Sequence, residues 1–425
     1  MISMIAPDNE DLTDGELREF VISALGDVAL EGKKVLFIIP DSTRSMPMAC
    51  MFRALFDAAH GRCAKMDYLI ALGTHPPMPE DAINKLVGVT PEERAGTYAD
   101  VAIYNHAWKD PDALTCIGTI TADEIAAISG GLMHQQADVT LNKLVLEYDV
   151  LCIVGPVFPH EVVGFSGGNK YFCPGIAGQQ IIDLFHWLGA LITNPVINGT
   201  KHTPVREVVD RAAAFIQAEK WCFCLNVTGK ACRGIFFGTP EEAWSAAADL
   251  SATTHIVYKD RPYNSVLAMA PEMYDEIWVA GKCMYKLEPV VADGGELIIY
   301  GPHIREISVT HGDYIRKIGY HTRDYFLAQM ERFADIPGGI LAHSTHVRGI
   351  GTYENGVEKP RVDVTLATAI PEAECRAINL GYRDPASIDP DDWKDREDEG
   401  RLLVPNAGEV LYRLEQGNPK PGEPR

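Results

Sequence analysis

The chain has 425 residues, 46% apolar and 23% charged, which is an ordinary globular composition with enough sequence for two or three domains. The formal net charge of −21 argues against nucleic acid and against an anionic membrane surface as partners, because both favour an excess of lysine and arginine. No window approaches the ~18 apolar residues of a membrane span, and the first residues show no signal-peptide pattern, so we expect a cytoplasmic protein.

The ten cysteines are scattered along the chain. Cys222 and Cys224 form the one close pair, and no second pair follows at zinc-finger spacing. We therefore predict mostly buried free thiols rather than a disulfide or zinc framework.

Strand, polar loop and helix alternate in the first part of the chain, which predicts an α/β domain. Thr13 and Glu16 form a capping-box pattern at the start of an amphipathic first helix. Strands are predicted at residues 35–39, 68–72, 101–104, 150–154, 222–227 and 234–237. Helices are predicted at residues 48–59 and 80–86, and after the Thr-Pro pairs at 203–204 and 239–240.

A polar stretch at residues 258–265 predicts a linker to a second α/β domain. Apolar runs at 276–280, 297–300 and 362–370 belong to that domain, and residues 405–414 form a last ordered segment before a Gly/Pro-rich tail from Gln416. The predicted domains are 1–265, 272–404, and a C-terminal segment and tail, 405–425, that returns to the N-terminal domain. No internal repeat is visible.

Polar residues follow several predicted strands, where ligands gather in open α/β sheets. Asp41, Arg44, His75, His106, His160 and Lys170 are therefore expected to converge. The glycines at 167 and 168 allow main-chain N–H groups to approach an anion, and Lys170 adds a charge or an amine. This is not a Walker A loop, and no Gly-x-Gly-x-x-Gly fingerprint of a dinucleotide fold is present. A plain glycine turn with a solvated lysine is the alternative.

The histidines are ambiguous when each is considered alone. His186 lies in an apolar helical run, where a hydrogen-bonded core residue is more common than a metal ligand. His75 and His160 lie on loops, where catalytic and plain surface residues both occur. Asp41 and Arg44 fit either a helix cap with an exposed charge or an anion site at a helix N-terminus.

In combination, these motifs resemble the lactate racemase family, whose members use a nickel-pincer nucleotide. The motifs are Asp41-Ser-Thr-Arg44-x-x-Pro47, Gly73-Thr-His75-x-Pro77, Pro159-His160, Gly164-Phe-Ser-Gly-Gly-x-Lys170 and Pro174-Gly-Ile-Ala-Gly178. Their order and spacing agree as well, with ten residues from His160 to Lys170 and sixteen from Lys170 to His186. The resemblance covers most of the chain.

The resemblance implies a cofactor site in the N-terminal domain. Lys170 would carry pyridinium-3-thioamide-5-thiocarboxylic acid mononucleotide, the nickel-pincer nucleotide, through a thioamide bond, and His186 would be the protein ligand to Ni(II). The nucleotide would lie near the side chains of Asp41, Ser42 and Thr43 and near the main chain of Ser166, Gly167 and Gly168.

The resemblance also implies roles in catalysis. His75 and His160 would be the two acid/base groups, while the substrate's α-hydride moves to the cofactor and back through a planar 2-keto acid. Arg44 would bind the substrate carboxylate. Lys282 or Lys286 would meet the substrate in the cleft between two α/β domains, with Lys282 favoured by its distance to the Gly294-Gly295 turn, and His343, His346 and Arg348 would read a distal group.

Two departures from the family pattern concern the site. Asn169 stands where the family usually has Arg or Pro, and the usual Gln-Ser-x-Lys context of the second-domain lysine is absent. The sequence thus predicts a 2-hydroxy acid racemase or epimerase, and leaves the particular acid and the oligomeric state open. The alternatives are an NAD-dependent 2-hydroxyacid dehydrogenase, disfavoured by the missing glycine fingerprint, a non-catalytic nucleotide- or nickel-binding protein, and a relative that has lost the cofactor.

Overall fold

The structure, a computed structural model, describes residues 1–8, 10–229 and 231–415. The chain divides into two compact units. The first comprises Met1–Phe158, Ser166–Ile182 and Arg206–Thr254; the second comprises Pro159–Phe165, Asp183–Val205 and the chain from His255 onward.

Up to residue 254 the strands are β1 (Ile2–Ile5), β2 (Lys34–Ile39), β3 (Lys65–Ile70), β4 (Ile103–Asn105), β5 (Leu114–Ile120), β6 (Ala137–Asn142), β7 (Val150–Pro156), β8 (Pro159–His160), β9 (Gly164–Phe165), β10 (Glu219–Thr228) and β11 (Ala231–Gly238). The helices are α1 (Asp14–Gly26), α2 (Met48–Ala59), α3 (Glu80–Val87), α4 (Pro91–Ala95), α5 (Ala122–Ser129), α6 (Gln179–Ile192), α7 (Asn194–Ile197), α8 (Pro204–Ala213) and α9 (Pro240–Thr254).

After residue 254 the strands are β12 (Ile256–Lys259), β13 (Tyr263–Met269), β14 (Val291–Gly301), β15 (Gly351–Glu354), β16 (Val357–Pro360), β17 (Asp363–Thr368), β18 (Gly381–Tyr382), β19 (Arg401–Val404) and β20 (Leu411–Leu414). The helices are α10 (Ile277–Ala280), α11 (Lys282–Tyr285), α12 (Gly312–Ile318), α13 (Arg323–Leu327), α14 (Gly338–Arg348) and α15 (Glu372–Ala377).

The first unit is built on a seven-stranded sheet in the order β1-β11-β10-β7-β2-β3-β4. The strands from β10 to β4 are parallel, and β11 near one edge pairs antiparallel with both β10 and β1. Five of the six residues of β2 and of β3 are buried, as the continuous apolar runs predicted, because helices cover both faces of such a sheet. The chain order reverses between β2 and β7, which places a topological switch point beside the loops that follow these strands.

Helix signals in the sequence are confirmed in the first unit, most clearly at α1 and α2. Thr13 and Glu16 form the predicted capping box at α1, which satisfies main-chain N–H groups at the helix start. α2 spans the predicted range of residues 48–59, and its buried face packs in the core of the unit.

The second unit has a separate core around a parallel five-stranded sheet in the order β18-β17-β14-β13-β19. β12 pairs in parallel with β20, so the last ordered segment lies in this unit. The predicted α/β fold class is confirmed, whereas the predicted domain ranges and the cleft between the domains stay predictions.

One prediction about the second half is wrong. The predicted linker at 258–265 contributes to β12 and β13, because its backbone finds partners in β20, β14 and β19, which are distant in sequence. Residues 277–280, in the apolar run assigned to the second domain, form α10. The predicted loose tail from Gln416 lies outside the described residues.

The ten cysteines are free thiols and seven of them are buried, as predicted. The Sγ atoms of Cys222 and Cys224 lie 3.3 Å apart on β10. Within the described part of the chain, no helix combines the length and the hydropathy needed to span a membrane.

Candidate active site

Three loops meet at the carboxyl edge of the first unit's parallel strands. Asp41 follows β2 and His75 follows β3, and the loop of His75 is joined to the segment after Lys170 by a hydrogen bond from Gly73 N to Gly175 O at 2.9 Å. An added Cβ on Gly175 would lie 2.9 Å from the Ala71 side chain, so a glycine permits this close approach. The structure therefore brings Asp41, His75 and Lys170 to the same edge of the sheet.

Asp41 and His75 form a tight pair in which the carboxylate is buried and the imidazole is partly exposed. His75 Nδ1 lies 2.5 Å from Asp41 Oδ2, and the side chain of Asp41 is only 8% exposed. Burial by itself would raise the pKa of Asp41, but the hydrogen bond and charge of His75, with help from Arg44 and Thr43, hold that pKa well below its usual range. The carboxylate is therefore ionised at neutral pH.

The rest of the Asp41 loop is ordered by Thr43. Asp41 Oδ1 accepts hydrogen bonds from Thr43 N at 3.0 Å and from Thr43 Oγ1 at 2.6 Å. Arg44 Nη1 lies 3.3 Å from Thr43 Oγ1, which leaves most of the guanidinium fork uncommitted to this loop. Ser42 is exposed, whereas Thr43 and Arg44 are partly buried.

The loop before Lys170 depends on two buried glycines in the left-handed region. Gly167 has φ of 82° and Gly168 has φ of 58°. An added Cβ would lie 2.6 Å from Val157 Cγ2 at the first position and 2.8 Å from Trp244 Cβ at the second, so neither position accepts a side chain. Ser166 fixes the start of the loop, since its N–H donates to Phe158 O at 2.7 Å and its hydroxyl accepts from Phe158 N at 2.9 Å.

In the second unit, His160 lies on the short hairpin of β8 and β9, opposite Gly164. Its Nδ1 accepts a hydrogen bond from Val162 N at 3.1 Å and lies 3.4 Å from Glu161 Oε2. Both side chains of the His160–Glu161 pair are mostly buried, at 13% and 16% exposed.

Lys282 and Lys286 have different surroundings although they are four residues apart. Lys286 is 3% exposed, and its ammonium donates a hydrogen bond to Pro159 O, next to His160. Lys282 is partly exposed, with Nζ 4.7 Å from the centre of the Tyr274 ring. The contact to Pro159 was not predicted, and the sequence holds no signal of it because 127 residues separate the partners.

His186 lies in α6 as a partly buried residue, and its ring is 4.3 Å from that of Phe185. It is close enough to His343 to influence that residue electrostatically. Burial lowers the pKa of both His343 and His346 to about 3, so both rings are neutral at physiological pH. His343 stacks on Trp278 at 3.8 Å and donates from Nε2 to the carbonyl oxygen of Trp278 at 3.0 Å, a packing contact.

His106, which was expected to converge with the other loop residues, has a structural role. Its Nε2 donates to Ala177 O at 3.0 Å and its Nδ1 accepts from Asn142 Nδ2 at 3.3 Å. Burial lowers the pKa of His106 to about 4, although the bond to Ala177 opposes this, so the ring is neutral at pH 7. Among the described residues, no group of three or more His, Cys, Asp and Glu side chains could hold a metal ion. The predicted nickel site has a single protein ligand, so the absence of such a group does not test it. The role of His186 as the nickel ligand stays a prediction.

The N-terminal part of the chain carries the family relationship. Residues 7–197 match the model of the lactate racemase N-terminal domain. This part of the chain belongs to the lactate racemase family. Among curated members it is 30% identical over 178 residues to the lactate racemase of Thermoanaerobacterium thermosaccharolyticum, an alignment that covers 40% of this chain and 36% of that protein.

A second lactate racemase, from Lactiplantibacillus plantarum, is 26% identical over 234 residues, covering 53% of this chain and 49% of that protein. The alignments thus span about half or less of these curated relatives. A Thermotoga maritima protein whose crystal structure came from structural genomics superposes with a TM-score of 0.88 at 33% identity, covering 96% of this chain and 100% of that one.

The lactate racemase apoprotein from T. thermosaccharolyticum superposes with a TM-score of 0.72 at 18% identity, covering 97% of each chain. At this identity the likeness supports the fold alone, and it agrees with the α/β class predicted from the alternation of strands and helices.

Proposed function

We propose that this protein is a racemase or epimerase of 2-hydroxy acids that works with a nickel-pincer nucleotide tethered to Lys170. The observation that carries the proposal is the contact of His75 with the buried carboxylate of Asp41 at 2.5 Å, at the same sheet edge as the loop of Lys170. A buried carboxylate bonded to a histidine at the end of parallel strands is an arrangement for proton transfer rather than for packing.

Asp41 sets the protonation pattern of His75. An ionised carboxylate only accepts hydrogen bonds, so Nδ1 of His75 carries the hydrogen and donates it to Asp41. Nε2 then keeps its lone pair and can take the hydroxyl proton of a bound 2-hydroxy acid. The imidazolium that results is stabilised by the adjacent negative charge.

His160 would serve the other enantiomer. With Nδ1 accepting from Val162 N, a neutral His160 carries its hydrogen on Nε2. To take a substrate proton at Nε2, the ring must instead carry its hydrogen on Nδ1, and an acceptor must then face Nδ1. Glu161 Oε2 is 3.4 Å from it and can supply that acceptor after a small side-chain movement. Glu161 would thus support the charged form of His160, as Asp41 does for His75.

The residues expected to hold the cofactor have suitable chemistry. The glycines before Lys170 keep side chains out of the loop, and His186 offers a partly exposed imidazole of the kind that Ni(II) binds. When bound, the cofactor supplies a reversible acceptor for the substrate's α-hydrogen, which makes a planar 2-keto acid accessible from both faces. The protein's own residues bind the acid and move its hydroxyl proton.

Arg44 and Lys282 are the proposed substrate-binding residues. Among the described residues, Arg44 donates only from Nη1, to Thr43, so its other guanidinium donors can pair with a carboxylate. Lys282 is partly exposed, whereas the amine of Lys286 is buried against Pro159. We therefore assign substrate contact to Lys282 and not to Lys286.

The test is to incubate protein matured with nickel and cofactor with single enantiomers of several 2-hydroxy acids, without added nicotinamide. We expect loss of optical rotation on at least one acid with no net oxidation. Replacing His75 or His160 by alanine should lower turnover by about 10²-fold or more, because each removes a general acid/base. Both variants should keep the mass of the adduct on Lys170.

His134→Ala is the matched control, because His134 also pairs with an aspartate, Asp123, at 3.0 Å but on the surface. It should keep full turnover. Conversion that requires nicotinamide would favour a dehydrogenase instead. Full turnover in both His75→Ala and His160→Ala would rule out the proposed proton transfer.

A further inference from the structure

Two side chains on neighbouring helices bind main-chain carbonyls of the glycine loop, residues 166–169, which precedes Lys170. Trp244 of α9 donates from its indole Nε1 to Ser166 O at 2.9 Å. Arg206 of α8 donates from Nη1 to Gly167 O at 3.3 Å, and its guanidinium carbon lies 4.0 Å from the centre of the Trp244 ring. Consecutive carbonyls of the loop are therefore bound by a stacked Arg–Trp pair.

This pair is part of the protein interior. Arg206 is 2% exposed and Trp244 is 5% exposed. Burial lowers the pKa of Arg206 to about 10, so it still carries its charge at neutral pH, with Asp210 among the groups that favour the charged form. A buried guanidinium is costly to desolvate, and an interior position used only for packing would favour an apolar residue.

The binding of these carbonyls fixes where the next N–H groups point. In a trans peptide the C=O of one residue and the N–H of the next lie on opposite sides. Because Ser166 O faces Trp244, the N–H of Gly167 points away from Trp244, and because Gly167 O faces Arg206, the N–H of Gly168 points away from Arg206. Neither N–H donates a hydrogen bond to any residue of the described ranges.

Asn169, the departure from the family pattern, adds a third attachment. Its Nδ2 donates to Asp210 Oδ1 at 3.0 Å on α8 and to Glu241 Oε1 at 2.7 Å on α9. Asn169 is 1% exposed and directly precedes Lys170. The two helices thus hold the loop on both sides of the glycine pair.

We propose that Arg206 and Trp244 are positioning residues that turn two main-chain N–H groups of the glycine loop toward an anionic group of the tethered cofactor and so prepare Lys170 for attachment. Buried N–H groups without acceptors are unfavourable, and an anion offsets that cost. The inference rests on the proposed function for its ligand, but the geometry of the loop can be tested without it.

The first measurement is hydrogen–deuterium exchange of residues 164–172 in the full-length protein without cofactor. Trp244→Phe keeps an aromatic ring for Arg206 but removes the indole N–H, and Arg206→Met removes the charge and the donors. We expect both to speed exchange in this segment by about fivefold or more, the factor expected for loss of one hydrogen bond. Arg206→Lys should fall between Arg206→Met and wild type.

Matched controls exist for both substitutions. Trp221 also donates its indole N–H, to Glu219 Oε1 at 2.8 Å, and Arg211 lies on the same helix as Arg206 with a bond to Glu124 Oε1 at 3.0 Å. Trp221→Phe and Arg211→Met should leave exchange of residues 164–172 unchanged.

The second measurement is the fraction of protein that carries the Lys170 adduct, from intact mass after co-expression with the cofactor-making enzymes. We expect Trp244→Phe and Arg206→Met to load at least about fivefold less than wild type, with the melting temperature as a check of folding. Unchanged exchange, or faster exchange with wild-type loading, would overturn the inference. If wild type carries no adduct, the proposed function fails, and the exchange data alone decide whether the pair orients the loop.

Discussion

Asp41 and His75 differ from an ordinary surface ion pair in their burial. The side chain of Asp41 is 8% exposed, whereas Asp123, which pairs with His134, is 98% exposed. Solvent screens the second pair, so it contributes little, while a buried carboxylate orients its imidazole strongly. The sequence predicted His75 as an acid/base group and Asp41 as a nucleotide neighbour, but not their hydrogen bond, because the two loops are joined only by the fold.

Asp41→Asn is therefore predicted to impair proton transfer more than binding. The amide has nearly the same shape but no charge, so it stabilises the His75 imidazolium poorly and can favour the wrong tautomer. We expect kcat on the identified 2-hydroxy acid to fall by about 10²-fold or more with a smaller change in KM. Asp123→Asn is the control and should stay within about twofold of wild type. An Asp41→Asn enzyme with wild-type kcat would remove Asp41 from the mechanism.

At the scale of elements, the β8–β9 hairpin that presents His160 depends on Gly164. This residue has φ of 87°, and an added Cβ would lie 1.8 Å from Thr200 O. Gly164 O also accepts a hydrogen bond from Gly199 N at 2.9 Å, so the hairpin is packed tightly against the chain at 199–200. A side chain at position 164 would have to displace main-chain atoms. Its cost in stability therefore exceeds the usual penalty for a positive φ.

Gly164→Ala is predicted to destabilise the protein by more than about 2 kcal/mol, the sum of left-handed strain and overpacking. Gly130 supplies the control: it has φ of 64° at the end of α5, but no atom lies within 4 Å of its added Cβ. Gly130→Ala should therefore cost only about 1 kcal/mol. Urea denaturation measures both, and equal costs would show that the close approach at Thr200 O is unimportant.

The predicted helices and strands agree with the structure where residues close in sequence determine them. The capping box of α1 and the range of α2 follow from neighbouring residues, and the buried strands β2 and β3 from continuous apolar runs. Prediction failed at 258–265, because strand pairing with β20 and β19 is decided by distant partners. The sequence did not predict the buried position of Arg206 either, because one arginine in an amphipathic helix ordinarily indicates an exposed charge.

At the scale of the whole molecule, the two units have separate cores, and buried neutral histidines link stability to pH. His106 in the first unit has its pKa lowered to about 4, whereas an unfolded histidine titrates near ~6.5. Between these values the unfolded chain binds a proton that the folded chain does not. The free energy of unfolding therefore rises with pH across this window, and acidification from pH 6.5 toward 4 removes stability.

Replacing His106 by glutamine is predicted to flatten this dependence. Glutamine keeps an amide donor for Ala177 O but takes up no proton, so the slope of the free energy of unfolding against pH should fall by up to about 1.4 kcal/mol per pH unit between pH 4.5 and 6. The measurement is urea denaturation at several pH values within this window. His134→Gln, which removes an exposed histidine, is the control and should leave the slope near that of wild type. An unchanged slope in His106→Gln would mean that His106 takes up its proton equally in the folded and unfolded states.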